Sequence, residues 1–222
     1  MTQPASLDHV VRYVRQSPDV APEQLVGPAA VLLLVTGVPP NLHVLLIQRA
    51  AHLRHHSGQM ALPGGGYEPE DRTLWQTAVR EAREEVGLDP GAVRRMGSLT
   101  PIVIGVSGYT VVPWVGVATA RPAVHPDPRE VAALHWVTVM DLAQSAQTVA
   151  RTRSSGQDGR WPEFHLAAGR VWGATAFMLD EFLHAWSGGR PEAWRYRALM
   201  RANVSCLGSI APPPEAGPPA PC

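Results

Sequence analysis

Apolar residues recur along the chain with periods that change from segment to segment, and each period predicts an element. Leu7, Val10, Val11 and Val14 repeat at helical spacing, so residues 6–17 read as a short amphipathic helix that Pro18 and Pro22 end. Ala29 to Val35 is continuously apolar, the pattern of a buried strand. Val38-Pro39-Pro40-Asn41 is turn chemistry, and Leu42 to Gln48 forms the return strand of a hairpin. Residues 49–70 have no clear period, and a long loop inside a compact domain is usually functional. Helical spacing resumes from Thr73 to Val86 and stops at Gly87 as a C′ residue. Thr73 with Gln76 makes a capping box there, and Asp71 is the rival cap.

Residues 98–106 and 109–119 are β-rich and separated by Ser107-Gly108, which predicts a second hairpin. Leu134 to Val139 is a further strand, and 172–186 and 191–202 read as helices. From Ala211 onwards six of twelve residues are proline, a composition that cannot pack a core and predicts disorder. Hairpins early and late, with helices between and after, fit an α/β fold: an α/β/α sandwich around a mixed β-sheet. The division expected is an N-terminal helix and linker over 1–24 and a main domain over 25–190. A C-terminal helix packed on that domain (191–207) and a Pro-rich disordered tail (208–222) follow.

Charge narrows the function. Nineteen arginines balance nineteen acids, which argues against binding a nucleic acid polymer, since that needs a basic surface. The chain has no lysine, so Schiff-base and P-loop chemistry are excluded. Cys206 and Cys222, both late, make neither a disulfide framework nor a zinc site. Asp8, His9, Arg12 and Arg15 interrupt the N-terminus, which is not a signal peptide, and the longest apolar run is too short to span a bilayer. A cytoplasmic protein with no membrane partner is expected, and a homodimer stays open.

The informative segment is Arg80-Glu81-Ala82-Arg83-Glu84-Glu85-Val86-Gly87-Leu88. On a helical wheel Leu74, Trp75, Ala78, Val79, Ala82 and Val86 share one arc, the core face. Arg72, Gln76, Arg80 and Arg83 lie opposite, on the solvated side. Glu81 and Glu85 fall about 40° apart at the edge of the apolar arc, with Glu84 just outside. Two carboxylates about 5 Å apart repel by roughly 3 kcal/mol at an effective dielectric near 20. A cation relieves that repulsion, either arginine at helical spacing or a divalent metal, whose natural ligands are carboxylate oxygens. Pro63-Gly64-Gly65-Gly66 precedes this helix by a short interval. Glycines let backbone approach a ligand closely, and free N–H groups at Gly64, Gly65 and Gly66 can hold phosphate oxygens. Read alone, such a run is a tight turn. Beside an acidic metal site it suggests phosphoryl chemistry.

Together these residues resemble the Nudix hydrolase signature, G-x5-E-x7-R-E-U-x-E-E-x-G-U with U aliphatic. Arg80 to Leu88 fit its second half in full. The first half departs. Counting back from Arg80 puts Arg72 at the first glutamate. Counting forward from Gly65 puts Asp71 there, with one extra residue before Arg80; the insertion keeps an acid and is favoured. Upstream, Leu45-Leu46-Ile47-Gln48-Arg49-Ala50, then Arg54, Gly58 and Leu62-Pro63-Gly64-Gly65, is similar to L-L-T-x-R-[SA]-x3-R-x3-G-x3-F-P-G-G. That element marks the coenzyme A pyrophosphatase branch of the family. Ile47 and Leu62 replace its threonine and phenylalanine. Val171-Trp172-Gly173-Ala174-Thr175 is a weaker match to a late helix start in that branch.

The resemblance implies that Glu81 and Glu85 ligate Mg2+ or Mn2+, with Glu84 a further ligand or a candidate base, that they and Arg80 form the catalytic group, and that 25–190 is a Nudix domain. It implies a CoA-like nucleotide substrate, cleaved at its diphosphate to 4′-phosphopantetheine, or its acyl form, and adenosine 3′,5′-bisphosphate. Arg49, Arg54 and Gly58, with the glycine run, then fall on the substrate side. For Arg49 and Arg54 the alternative is a surface salt bridge. His52, His55 and His56 have poor zinc spacing and read as solvated or substrate-facing. The seven tryptophans read as core or domain-edge packing, with one available to stack on adenine. Arg190, Arg195, Arg197 and Arg201 read as a solvated helix face. Other readings keep the catalyst but change the substrate, to ADP-ribose, a dinucleotide polyphosphate or a nucleoside triphosphate, or keep the fold and bind a nucleotide without turnover.

Overall fold

Strand alternation sets the layers. In the computed structural model, which describes residues 6–15, 19–53, 56–104, 108–152 and 158–188, β1 (Pro28–Thr36) lies in the middle of a mixed sheet. Its partner β2 (His43–Arg49) runs antiparallel, but the two are in register only at Val35↔Val44 and Thr36↔His43, next to the turn. Beyond that point they splay. Two short strands from the long loop fill the gap: β3 (Met60–Ala61) pairs with β2, and β4 (Gly64–Gly66) pairs with Ala29–Val31 of β1. The Leu32 N–H donates to the Pro63 carbonyl at 2.8 Å and closes the wedge. The glycine run is therefore a strand inside the sheet, not the tight turn it suggests in isolation.

The helix α2 (Leu74–Val86) follows. After it come β5 (Arg94–Ser98), β6 (Ile102–Val103) and β7 (Thr110–Ala118). β7 runs parallel to β1 over nine partners, from Pro28↔Thr110 to Thr36↔Ala118, while β5 and β6 are antiparallel to β7. β8 (Val131–Thr138) pairs with the other edge of β2. Then come α3 (Val139–Ser145), a second sheet of β9 (Ala146–Thr152), β10 (Asp158–Leu166) and β11 (Gly169–Val171), and finally α4 (Gly173–Trp186). The helix at the N-terminus, α1, spans Leu7–Val14.

The period of two along β1 splits the core. Ala30, Leu32 and Leu34 meet Leu74, Ala78, Ala82 and Val86 of α2 on one face. Leu33 and Val35 meet Val10 and Val14 of α1, Leu142 of α3 and Leu179 and Phe182 of α4 on the other. Both faces are covered, so the expected α/β/α sandwich around a mixed sheet is present. Each fully buried leucine contributes about 1.5–3 kcal/mol, so the first of these layers holds α2 firmly against the sheet.

Several local expectations shift. The strand expected over 98–106 is broken at Leu99–Pro101, and Thr100 donates its N–H to Glu181 instead of to a ladder. The strand expected from Leu134 starts at Val131 and ends at Thr138, and Val139 opens a helix. The helix expected over 191–202 and the proline tail lie outside the described residues. No helix among the described residues is long and apolar enough to cross a membrane.

Candidate active site

α2 is set by its two ends. Thr73 Oγ1 accepts the Gln76 N–H at 3.2 Å, the cap expected, and Gly87 leaves the helix with φ +63°, a conformation that glycine adopts without strain. Only the Thr73 half of the expected capping box is made. Asp71 does not cap α2. It accepts the Glu68 N–H at 3.0 Å and pairs with Arg80. Beyond the helix, Asp127 and His125 donate N–H groups to the carbonyls of Glu85 and Val86, both at 2.8 Å. The segment between β7 and β8 is thus tied to the last turn of α2.

Glu85 is 2% exposed. Its Oε2 accepts the Gly64 N–H at 2.9 Å, and its Oε1 lies 3.3 Å from Arg49 Nη1. Burial pushes its carboxyl up to about 7; Gly64 and Arg49 pull it down, and the charges of Glu81 and Glu130 push it further up. Glu81 is half-buried and is also raised, first by burial and then by Glu84 and Glu130, against the pull of Arg80. Glu84 is the exposed member. Its Oε2 and Glu81 Oε1 each take a 3.0 Å bond from the same Arg80 Nη1.

Arg80 corrects the wheel. A solvated position was expected, yet the side chain is only 19% exposed. Its Nε and Nη2 grip Asp71 at 2.8 and 3.0 Å, and Nη2 also donates to the Gly66 carbonyl at 2.8 Å. Helical angle fixes where Cβ points, but a long guanidinium reaches round to the carboxylates. The glycines are also explained differently from the phosphate cradle expected of them. A Cβ on Gly64 would stand 2.3 Å from the Ala30 carbonyl oxygen, and one on Gly65 would stand 2.5 Å from the Glu81 carboxylate. The Gly64 N–H is already given to Glu85. Close packing against β1 and the acids requires glycine at these two positions.

Arg49 and Gly58 meet through the backbone: the Gly58 N–H donates to the Arg49 carbonyl at 3.1 Å, and the Arg49 N–H to the Gln59 carbonyl at 3.0 Å. Arg49 Nε is buried with no hydrogen-bond partner among the described residues. Arg54 and His55 lie outside the described residues. His52 contacts the Arg129 carbonyl and His56 contacts Gln59. Glu130 is the residue that sequence reasoning missed. It stands directly before β8, its carbonyl accepts the Ala50 N–H at 2.8 Å, and its charge acts on both Glu81 and Glu85. Its one signal is an acid at the exit of a proline-rich loop, and no spacing ties that to the helix.

Among the described residues no three His, Cys, Asp or Glu side chains stand assembled around one point as a ligand set. The donor chemistry still fits a hard divalent cation. Glu81, Glu84 and Glu85 offer only carboxylate oxygens, and two of them are raised by burial, a cost that a bound cation offsets.

Residues 27–159 match the family described as NUDIX domain. The chain is similar to the uncharacterized Nudix hydrolase NudL of Salmonella heidelberg, at 36% identity over 81% of this chain and 94% of that protein. It is similar to the NudL protein of Photorhabdus laumondii, also uncharacterized, at 36% identity over 69% of this chain and 81% of that one. A solved Nudix hydrolase from M. smegmatis, RenU, shares 31% identity over 53% of this chain and 73% of its own, with a TM-score of 0.44. With the acids of α2, the splayed sheet that presents them, the family match over 27–159 and the two NudL relatives in view, the chain belongs to the Nudix hydrolase family.

Proposed function

We propose that this Nudix hydrolase cleaves the diphosphate of coenzyme A or an acyl-CoA, releasing 4′-phosphopantetheine, or its acyl form, and adenosine 3′,5′-bisphosphate. Nudix hydrolases act on pyrophosphate bonds of small nucleotide substrates and generally use divalent metal ions. The observation that carries the narrower reading is the contact between Arg49 and Glu85. Arg49 belongs to the upstream motif and Glu85 to the signature helix, so the two motifs make one site. Glu85 takes one guanidinium N–H; the remaining donors of a side chain 24% exposed suit the oxygens of a diphosphate.

Glu81, Glu84 and Glu85 would hold Mg2+ or Mn2+. Bound there, the ion neutralises phosphate oxygens and lowers the pKa of a water. The chain's own residues do the rest. Arg80 fixes Glu81 and Glu84 relative to each other, and Gly64 with Arg49 fixes Glu85. A carboxylate of this acidic cluster takes the proton from the attacking water. The water oxygen bonds to phosphorus as the bridging P–O bond breaks, and the bridging oxygen leaves on the other phosphate.

The test is incubation with coenzyme A and Mg2+ or Mn2+, with the released nucleotide identified, beside ADP-ribose, a dinucleotide polyphosphate and a nucleoside triphosphate. Coenzyme A or an acyl-CoA should lead in kcat/KM. ADP-ribose ahead by tenfold, about 1.4 kcal/mol, would contradict the substrate.

A further inference from the structure

We infer that the face of the β10–β11 hairpin carrying Glu163, His165, Arg170 and Trp172 is a binding subsite for a purine base bearing a phosphomonoester. On the proposed function, on which the identity of the ligand rests, this is the adenosine 3′-phosphate end of the substrate.

The register builds the face. His165 and Arg170 are direct cross-strand partners, so their side chains share one side of the hairpin, and Glu163, two residues back, shares it too. Glu163 is 3% exposed and sits beneath them. Its Oε2 lies 3.4 Å from His165 Nε2 and 3.6 Å from Arg170 Nη1. The two outer side chains are 48% and 52% exposed, so a buried carboxylate holds them at the root while their tips face solvent. Apart from Glu163 and the ring of Trp172, Arg170 has no partner among the described residues, which leaves most of its planar N–H fork outward.

Trp172 completes the surface. It is 37% exposed, and the other tryptophans in the described residues are buried or half-buried. The Arg170 guanidinium carbon lies 5.8 Å from its ring centroid. An exposed indole beside an outward guanidinium matches a base that stacks and a phosphate that accepts two parallel N–H bonds.

Position places the hairpin beside β3, through the face opposite to His165 and Arg170. Gly169, at the start of β11, packs on Met60 of β3: a Cβ there would stand 3.6 Å from Met60 Cγ. Met60 is the cross-strand partner of Gln48, the residue before Arg49. One short strand therefore separates the hairpin from the arginine that meets Glu85.

Two readouts test this. Titration with adenosine 3′,5′-bisphosphate without metal measures the subsite apart from catalysis. Comparison of coenzyme A with 3′-dephospho-coenzyme A measures its use in turnover. Arg170→Gln should weaken bisphosphate binding about tenfold or more. It should raise KM for coenzyme A to match, leaving kcat and all constants for the dephospho form unchanged. Trp172→Ala should weaken both substrates, and Trp172→Phe should restore most of the loss. Wild-type protein that fails to bind the bisphosphate, or Arg170→Gln that binds it as wild type does, overturns the subsite. Wild-type protein that binds the bisphosphate through Arg170 yet cleaves neither coenzyme overturns the proposed function and leaves the subsite standing.

Discussion

Arg80 holds Asp71 with two arms of its guanidinium, Nε at 2.8 Å from Oδ1 and Nη2 at 3.0 Å from Oδ2. Burial works to raise the Asp71 carboxyl, and Arg80, the Glu68 N–H and Thr77 outweigh it, so it titrates below its usual value. An acid lowered in the folded state adds stability that is present above its unfolded pKa, near 4, and is lost as pH falls through the folded one. Asp71→Asn should therefore cost about 1–3 kcal/mol at neutral pH. The difference from wild type should shrink in acid. Thermal melts of both proteins between pH 3 and 7 check it, and a constant difference would contradict it.

Gly64 and Gly65 are adjacent and should fail differently. Alanine at 64 meets the Ala30 carbonyl and Val31 Cα of β1 and must hold φ +154°, so the backbone has to move. Gly64→Ala should lose about 2 kcal/mol or more of stability. The atoms nearest an alanine Cβ at 65 are the carboxylate end of Glu81, which can swing aside. Gly65→Ala should keep its melting temperature within a few degrees and lose turnover. Melting and kcat measured on both variants separate the two cases.

Arg49 leaves Glu85 buried without its cation when removed. Arg49→Ala should destabilise the fold by about 1–3 kcal/mol and lower kcat/KM for coenzyme A by more than tenfold. Arg49→Lys keeps the charge without the fork and should recover stability more than activity. Equal recovery of both would mean that Arg49 only neutralises Glu85.

Glu181 is fully buried on the far side of the sheet. It accepts Tyr13 Oη at 2.7 Å, Thr100 Oγ1 at 2.8 Å and the Thr100 N–H at 3.0 Å. Burial raises its carboxyl, against the pull of those donors. An acid raised in the folded state loses stability as pH climbs from its unfolded pKa, near 4.5, to the folded one, and the loss is complete above that. Wild-type protein minus Glu181→Gln should show that decline in unfolding free energy. Glu181→Ala, which strands three donors, should cost about 2–4 kcal/mol in acid, and that cost should shrink by the same decline as pH climbs.

Strong periodicity is what made parts of this molecule legible. The apolar arc of α2 and the continuous run of β1 are long enough to fix element type, and the arc alone puts Glu81 and Glu85 at the rim. β3 and β4 carry two and three residues, too few for any period; only the splay of β1 from β2 makes them strands. β10 carries Pro162 in its middle, which argues against a strand when read from sequence, yet it pairs with β9 and β11 on both sides. Arg80 and Glu130 were beyond reach for another reason. The first depends on side-chain length, the second on a charge effect across 45 positions of chain between Glu85 and Glu130.

The acids of α2 are the centre of the account, and turnover of coenzyme A by Glu81→Gln at saturating Mn2+ tests them most directly. A lost metal ligand removes several kcal/mol of charge stabilisation, so kcat should fall by about 100-fold or more while circular dichroism stays that of wild type. A folded Glu81→Gln protein that releases adenosine 3′,5′-bisphosphate within a few-fold of the wild-type rate would contradict it.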